Sequence, residues 1–322
     1  MPLLAAILTA LAPPFLLILL GYGLKRARVL HPAHVPILNG LVSNVTLPAL
    51  IVMGLARSPH LSARSALLPL SLFGTELLIM ALVYALGRML RLPRPLLGGI
   101  LLVGVFGNTG FIGYPLTLAL MPVQFPTAIL MDQFGMNLPL YLSAALLGAN
   151  FGGSNGVTGG GRRAAILRVL RSPLFLAALL GLSLHLITLP PAVAASPAAH
   201  SLVFIVSRCL DTLGQGTTPL ILLALGVALR PDAVRGQTSP LVLACGCKLL
   251  LSPLAVWGIC HGLGIGGTAR MEGVMESAMP SAVMAGVLAG QNDMGGDFAV
   301  GVVFLSTVLS AVTIPLLLTL LR

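Results

Sequence analysis

Two apolar segments are each long enough to cross a bilayer, yet each carries helix-breaking residues at its middle. The first runs from Gly98 to Pro115 and includes Gly107, Asn108, Thr109, Gly110 and Gly113. The second runs from Glu272 to Gly286 and includes Pro280 and Ser281. A helix broken inside a membrane exposes backbone donors and acceptors that lipid cannot satisfy. Such breaks persist only where they are buried in protein or line a wet cavity. A corresponding pair of breaks in two halves of a chain points to the binding site of a carrier.

Composition agrees with a membrane location. Of 322 residues, 57% are hydrophobic and 8% are charged, with a mean hydropathy of +1.02. A soluble domain carries roughly a quarter charged residues. The net charge of +10 comes from Lys and Arg at the ends of apolar runs, a topology signal rather than a nucleic-acid surface. No nucleic acid is expected as a partner. Cys209, Cys245, Cys247 and Cys260 have no His or Cys companions at zinc-site spacing, so they are read as small packing residues and no metal is expected.

A span needs about 20 apolar residues. Ten candidates occur, at 3–24, 36–56, 66–87, 96–119, 124–147, 172–190, 202–229, 238–261, 270–290 and 298–321. The first is followed, not preceded, by the basic cluster Lys25, Arg26 and Arg28, which marks a retained span rather than a cleaved leader. The seventh is long and is expected to begin as an amphipathic stretch, with Arg208 and Asp211 spaced to pair. The Gly/Ser/Asn-rich stretch from Gly148 to Gly161 reads as a flexible linker. With the N-terminus outside, the inner loops carry 12 Lys and Arg and the outer side 4. That bias places both termini outside the cytoplasm in a multi-pass protein of the cell (inner) membrane.

The halves also match each other. Pro48 corresponds to Pro219, Glu76 to Lys248, Asn108 to Ser281, Arg57 to Arg230 and Pro139 to Pro315, at offsets between 171 and 176 residues. Five spans is an odd number, so the second copy enters the membrane from the opposite side. The expected organisation is a first five-helix repeat over 1–147, a cytoplasmic linker over 148–171 and a second, inverted five-helix repeat over 172–322.

Several segments carry a resemblance. Gly107-Asn-Thr-Gly-Phe-Ile-Gly-Tyr-Pro-Leu116 resembles the fourth-helix motif of the auxin efflux carrier family, which includes plant PIN-type carriers and bacterial permeases for malate, malonate and similar acids. Leu41 to Leu50, Cys247 to Pro253, Ala278 to Ala282 and Leu305 to Ser310 resemble its second, eighth, ninth and tenth helices. The resemblance implies an all-α integral membrane fold of ten transmembrane helices, like that of bile-acid symporters and sodium/proton antiporters. Its fourth and ninth helices unwind and cross beside the substrate, and its helices divide into a scaffold set and a mobile set. Plant members carry Pro-Asn at the first crossover, where this chain has Gly107-Asn108.

Each candidate residue has a plainer reading beside the functional one. Asn108 stands where the fourth helix restarts, as a helix-capping and anion-facing group or as helix-packing glue. Pro280 and Ser281 are a crossover or a simple kink. Asp132, Glu76, Glu276 and Lys248 lie within spans, where charge is costly and functional by default. Asp132, Gln133 and Asn137 fall about one turn apart; Asp132 is an ion- or substrate-gating group or a satisfied structural acid. Lys248 neutralises an anion directly or anchors the crossover through Glu276 or Glu76. Asp293 and Asp297 could form half of a metal–diphosphate motif, but no second acidic cluster completes it, which leaves a solvated loop.

The expected substrate-binding set is therefore Asn108, Thr109, Gln133, Asn137, Pro280 and Ser281. Gly107, Gly110, Gly113 and Pro115 shape the crossover. The expected activity is secondary transport of a small organic anion by alternating access, with no catalytic residues and no cofactor beyond a coupling ion, H+ or Na+. A cation-coupled symporter or antiporter of another substrate class is the alternative. The bilayer is the expected surrounding, and a homodimer is left open. No Gly-x-x-x-x-Gly-Lys loop occurs, so ATP does not drive the cycle directly.

Overall fold

Proline positions explain much of how these helices are built. In the computed structural model, which describes residues 2–58, 61, 63–152, 161–187, 197–234 and 238–321, four helices loosen into a single π-turn. The turns are Val42–Thr46, Thr109–Gly113, Met131–Asn137 and Cys247–Leu251. Each ends two residues before a proline: Pro48, Pro115, Pro139 or Pro253. Proline donates no N–H, and its ring crowds the carbonyl four residues back, which lies inside each of these turns. The turn widens to relieve that clash. Pro315 behaves differently, since its helix stays α-helical throughout, as does the helix that carries Pro13 and Pro14.

The helices, in chain order, are α1 (Pro2–Arg26), α2 (Pro32–Ala56), α3 (Leu67–Met89), α4 (Arg94–Val103), α5 (Thr109–Leu120) and α6 (residues 125–151). Then follow α7 (Gly161–Leu170), α8 (Pro173–Leu186), α9 (Pro197–Gln215) and α10 (Thr217–Ala228). The last are α11 (Ser239–Gly262), α12 (Gly267–Ser277), α13 (Val283–Gln291) and α14 (Gly296–Leu320). No strand forms among the described residues. By length and apolar character, α1 from Ile7, α2, α3, α11 and α14 each suffice to cross a membrane. Leu16, Leu19, Leu78, Phe204 and Val242 stand more than half exposed, which suits a lipid-facing surface and not an aqueous one.

Two compact units form, each drawing on both halves of the sequence. One comprises Met1–Pro13, Ala63–Val169 and Leu229–Arg322; the other comprises Pro14–Ser62 and Leu170–Ala228. The larger unit has a continuous apolar core that includes Leu72, Ile100, Phe106, Met131 and Val302. In the smaller unit, α8 and α9 pack on α2. There α1 and α10 approach until Gly21 faces the Leu223 carbonyl and Gly226 faces the Ile18 carbonyl. A Cβ at Gly226 would sit 2.0 Å from that oxygen. Small residues at such contacts let membrane helices come close.

Three expectations are refined. The seventh segment does begin as a separate amphipathic helix, α9, and the chain turns at Gly216 before α10. Asp211 does not pair with Arg208. Both of its carboxylate oxygens accept from Arg57 Nη1, at 2.9 and 3.0 Å, because α9 lies against α2 and brings that guanidinium closer than the local partner. The linker is shorter than its composition implies: α6 runs on to Phe151 and α7 begins at Gly161, while residues 153–160, Ser154 among them, lie outside the described residues.

The close approach of α1 and α10 makes a direct prediction. Gly226→Ala places a methyl group against the Ile18 carbonyl and Tyr22 N–H, so it should destabilise the protein by about 1–3 kcal/mol. Thermal unfolding of the purified protein in detergent would show the lowered midpoint.

Candidate functional site at the helix crossover

Two helices stop in mid-course within the larger unit, and their free ends meet. The first stops after Val103 and restarts at Thr109; the second stops after Ser277 and restarts at Val283. The intervening backbones pair as a short antiparallel bridge between Gly107 and Ser281. Asn108 N–H donates to the Pro280 carbonyl at 2.7 Å, and Ala282 N–H donates to the Phe106 carbonyl at 2.9 Å. Each broken segment thus supplies the partners that the other lost by leaving its helix.

Side chains complete the satisfaction of the crossover. Ser281 N–H donates to Ser306 Oγ at 3.0 Å, and Ser281 Oγ donates to the Val103 carbonyl at the end of α4. Gly107 N–H points at Met136 Sδ, 3.1 Å away. Lys248 is wholly buried, and its ammonium donates to the Ser277 carbonyl at 2.8 Å. That carbonyl closes α12, where the helix dipole favours a cation. A Cβ on Gly107 would come within 2.9 Å of Lys248 Nζ, so the lysine needs a glycine there to lie across the bridge.

Lys248 therefore anchors the crossover, but through a backbone carbonyl. It makes no ion pair among the described residues, with Glu76, Glu276 or any other acid. Glu76 is buried with neither carboxylate oxygen hydrogen-bonded.

Asn108 occupies the N-cap position of α5, as its place in the sequence suggests. Its side chain makes no capping bond. The Asn108 carbonyl instead accepts from Ile112 and Gly113 N–H, at 3.1 and 3.2 Å, because the first turn is a wide one. The side-chain amide is left over: Asn108 is 6% exposed, and its Nδ2 has no hydrogen-bond partner.

Next to it, Asp132 gathers a set of neutral donors. Thr109 Oγ1 donates to Oδ1, while Tyr114 Oη, Gln133 Nε2 and Asn137 Nδ2 reach Oδ2 at 2.8, 2.7 and 3.0 Å. Asp132 and Asn137 are five residues apart, and the π-turn brings them together. Gly110 passes so close that a Cβ would lie 3.3 Å from both carboxylate oxygens. Asp132 thereby ties α6 to the residue that follows Asn108. Pro115 widens the turn that carries this pairing.

The expected site residues thus fall into three roles. Gly107, Asn108, Pro280 and Ser281 meet at the bridge, and the donors of Ser281 are already engaged. Thr109, Asp132, Gln133 and Asn137 form the adjoining network. Glu276 lies apart from Lys248, against Gly113 and Thr117. Sequence reasoning missed Tyr114, Thr117, Met136, Glu272 and Ser306. Only Glu272 carried a signal, its spacing of one helical turn from Glu276. Among the described residues no group of His, Cys, Asp and Glu could hold a metal. The four cysteines are free thiols. Asp293 and Asp297 lie exposed at the turn between α13 and α14.

Paired helix breaks in a lipid-suited, all-helical body define a membrane transporter. The chain belongs to the membrane transport protein family, that of the auxin efflux carriers, whose model matches residues 6–145 and 162–318. It is 32% identical to an uncharacterized transporter of Methanothermobacter thermautotrophicus over 93% of each chain. It is 26% identical to an uncharacterized transporter of Methanocaldococcus jannaschii, over 81% of this chain and 82% of the other. It is also 25% identical to a Rhizobium meliloti protein named "Putative malonate transporter", over 78% of this chain and 75% of the other. A multi-pass membrane protein is the form that family and these apolar helices give.

Removing the Lys248 ammonium tests its anchoring role. Lys248→Met keeps the apolar stem but leaves the buried Ser277 carbonyl without a donor. It should cost about 1–3 kcal/mol of stability, read as a lower unfolding temperature.

Proposed function

We propose that this protein is a secondary carrier for a small organic anion, of the malate or malonate kind, working by alternating access. The observation that carries the proposal is the buried, unpartnered Asn108 amide at the crossover. A neutral donor that has given up water without finding a protein partner is costly unless a ligand completes it. The amide also stands at the N-terminus of α5, where the helix dipole favours negative charge. The relative named for malonate supports a carboxylate substrate.

The accompanying organisation is ten spans in a five-plus-five inverted repeat, with α4–α5 and α12–α13 as its broken, crossing members. The unit that contains the crossover would be the transport part and the other the scaffold. Both termini lie outside and the linker lies in the cytoplasm. A cysteine introduced at Ser154 should therefore label only from the cytoplasmic side, and one at the C-terminus only from outside.

A cation-coupled cycle is the second reading, favoured by the number of buried carboxyl groups. Of the two roles its sequence position leaves open, Asp132 takes that of a satisfied structural acid. Its acceptor positions are occupied by Thr109, Tyr114, Gln133 and Asn137, so it holds the substrate loop in place. Asp132→Asn should lower both thermal stability and anion binding. Loss of gradient-driven accumulation alone, with binding intact, would instead make it the coupling group.

The central test is Asn108→Leu. Leucine is close in size and apolar, so insertion and folding should be kept. Losing one charge-assisted hydrogen bond costs about 1.5–3 kcal/mol, roughly a ten- to hundredfold loss in affinity. Counterflow of mono- and dicarboxylates in proteoliposomes, with substrate-induced thermal shift, measures it. Wild-type binding of malonate and malate by the variant would place the site elsewhere.

A further inference from the structure

Below the crossover, two fully buried carboxyl groups stand side by side with too few hydrogens between them. Glu272 and Glu276 lie one turn apart on α12, and neither has any exposed surface. Thr117 of α5 faces both: its Oγ1 is 2.8 Å from Glu272 Oε1 and 3.2 Å from Glu276 Oε1. Gly113 closes one side. A Cβ there would come within 2.7 Å of both Glu276 oxygens, so the pocket around this carboxyl exists only because residue 113 is glycine.

The count of hydrogens decides what the arrangement can be. A threonine hydroxyl has one hydrogen, and an ionised carboxylate has none to give. With both acids ionised, Thr117 serves one contact only, and Oε2 of each glutamate has no partner at all. Two like charges would also stand together out of water, at several kcal/mol each. One added proton resolves both problems: it supplies the missing hydrogen and removes one of the two charges.

We propose that Glu272 and Glu276, bridged by Thr117, bind one exchangeable proton. The proton sits on a carboxyl oxygen of the pair. Release breaks that O–H bond, passes the proton to water and leaves two carboxylates. Few other charges lie near the pair; α12 itself carries Arg270, whose charge acts on Cys260. Of the elements packed on α12, α3 brings Glu76 and α11 brings Cys260 and His261. The titratable group of α14, Asp297, is in its exposed first turn, and residues 109–113 and 122–124 have none. Lys248, Tyr114 and Asp132 act on Glu276 at longer range. Glu276 directly precedes Ser277, the last residue of the helix that Lys248 caps, and Glu272 lies five residues from it, so a change at the crossover reaches the pair directly. That the proton is carried across rests on the transport reading above; that it is bound does not.

Infrared spectroscopy of the purified full-length protein tests the proposal. At neutral pH the wild type should show a protonated-carboxyl carbonyl band that shifts in heavy water. One component should vanish in Glu272→Gln and in Glu276→Gln and persist in Glu76→Gln. Thr117→Val, an apolar near-isostere that should fold, should keep that component but move it to the frequency of an unbridged acid. If neither glutamine variant removes a component, or the component does not shift in heavy water, the proposal is wrong. In proteoliposomes, Glu276→Gln should lose proton-gradient-driven uptake of malonate while keeping counterflow, and undiminished driven uptake would refute a role in coupling. If the wild type moves neither malonate nor malate, the substrate reading fails while the infrared assignment stands.

Discussion

Everything distinctive in the larger unit depends on two hydrogen bonds between backbones that have left their helices. Asn108 N–H to the Pro280 carbonyl and Ala282 N–H to the Phe106 carbonyl replace what α4 and α12 lose by stopping short. In water those groups would be solvated at little cost. In hydrocarbon each unmet donor or acceptor costs several kcal/mol. The other bonds at the crossover, from Ser281 to Val103 and from Lys248 to Ser277, finish the same task at the helix ends. The Asn108 amide stands out because its surroundings are so thoroughly satisfied.

Proline places the polar residues that surround this crossover. Thr109, Asp132 and Lys248 each lie in a π-turn, and each of those turns is opened by a proline further along the helix. A regular helix would set Asp132 and Asn137 on diverging faces. The widened turn brings them onto one oxygen.

Much of this was legible in the sequence because helix breakers are a local signal. Gly107, Pro280 and their spacing of about half the chain mark the two helix breaks. What was hidden was pairing across distance. The spacing of Arg208 and Asp211 satisfied a local rule, yet Arg57 from another helix took the acid. Lys248 was recognisable as a buried anchor, but its partner is a carbonyl, which no residue letter encodes. Thr117 and Tyr114 were invisible because a hydroxyl in an apolar run becomes informative only when the acid opposite it is known.

The bridge also imposes an order on biosynthesis. Pro280 follows Asn108 by 172 residues, so the first broken segment leaves the ribosome long before its partner exists. At typical synthesis rates that interval is roughly ten to thirty seconds. Throughout it, the backbone around residues 104–108 has no permanent partner and cannot rest stably in lipid. The nascent chain must keep that stretch at the interface, within the insertion machinery or in a provisional helix. The first half is thus obliged to wait for the second, which ties maturation of this membrane transport protein to completion of the second half.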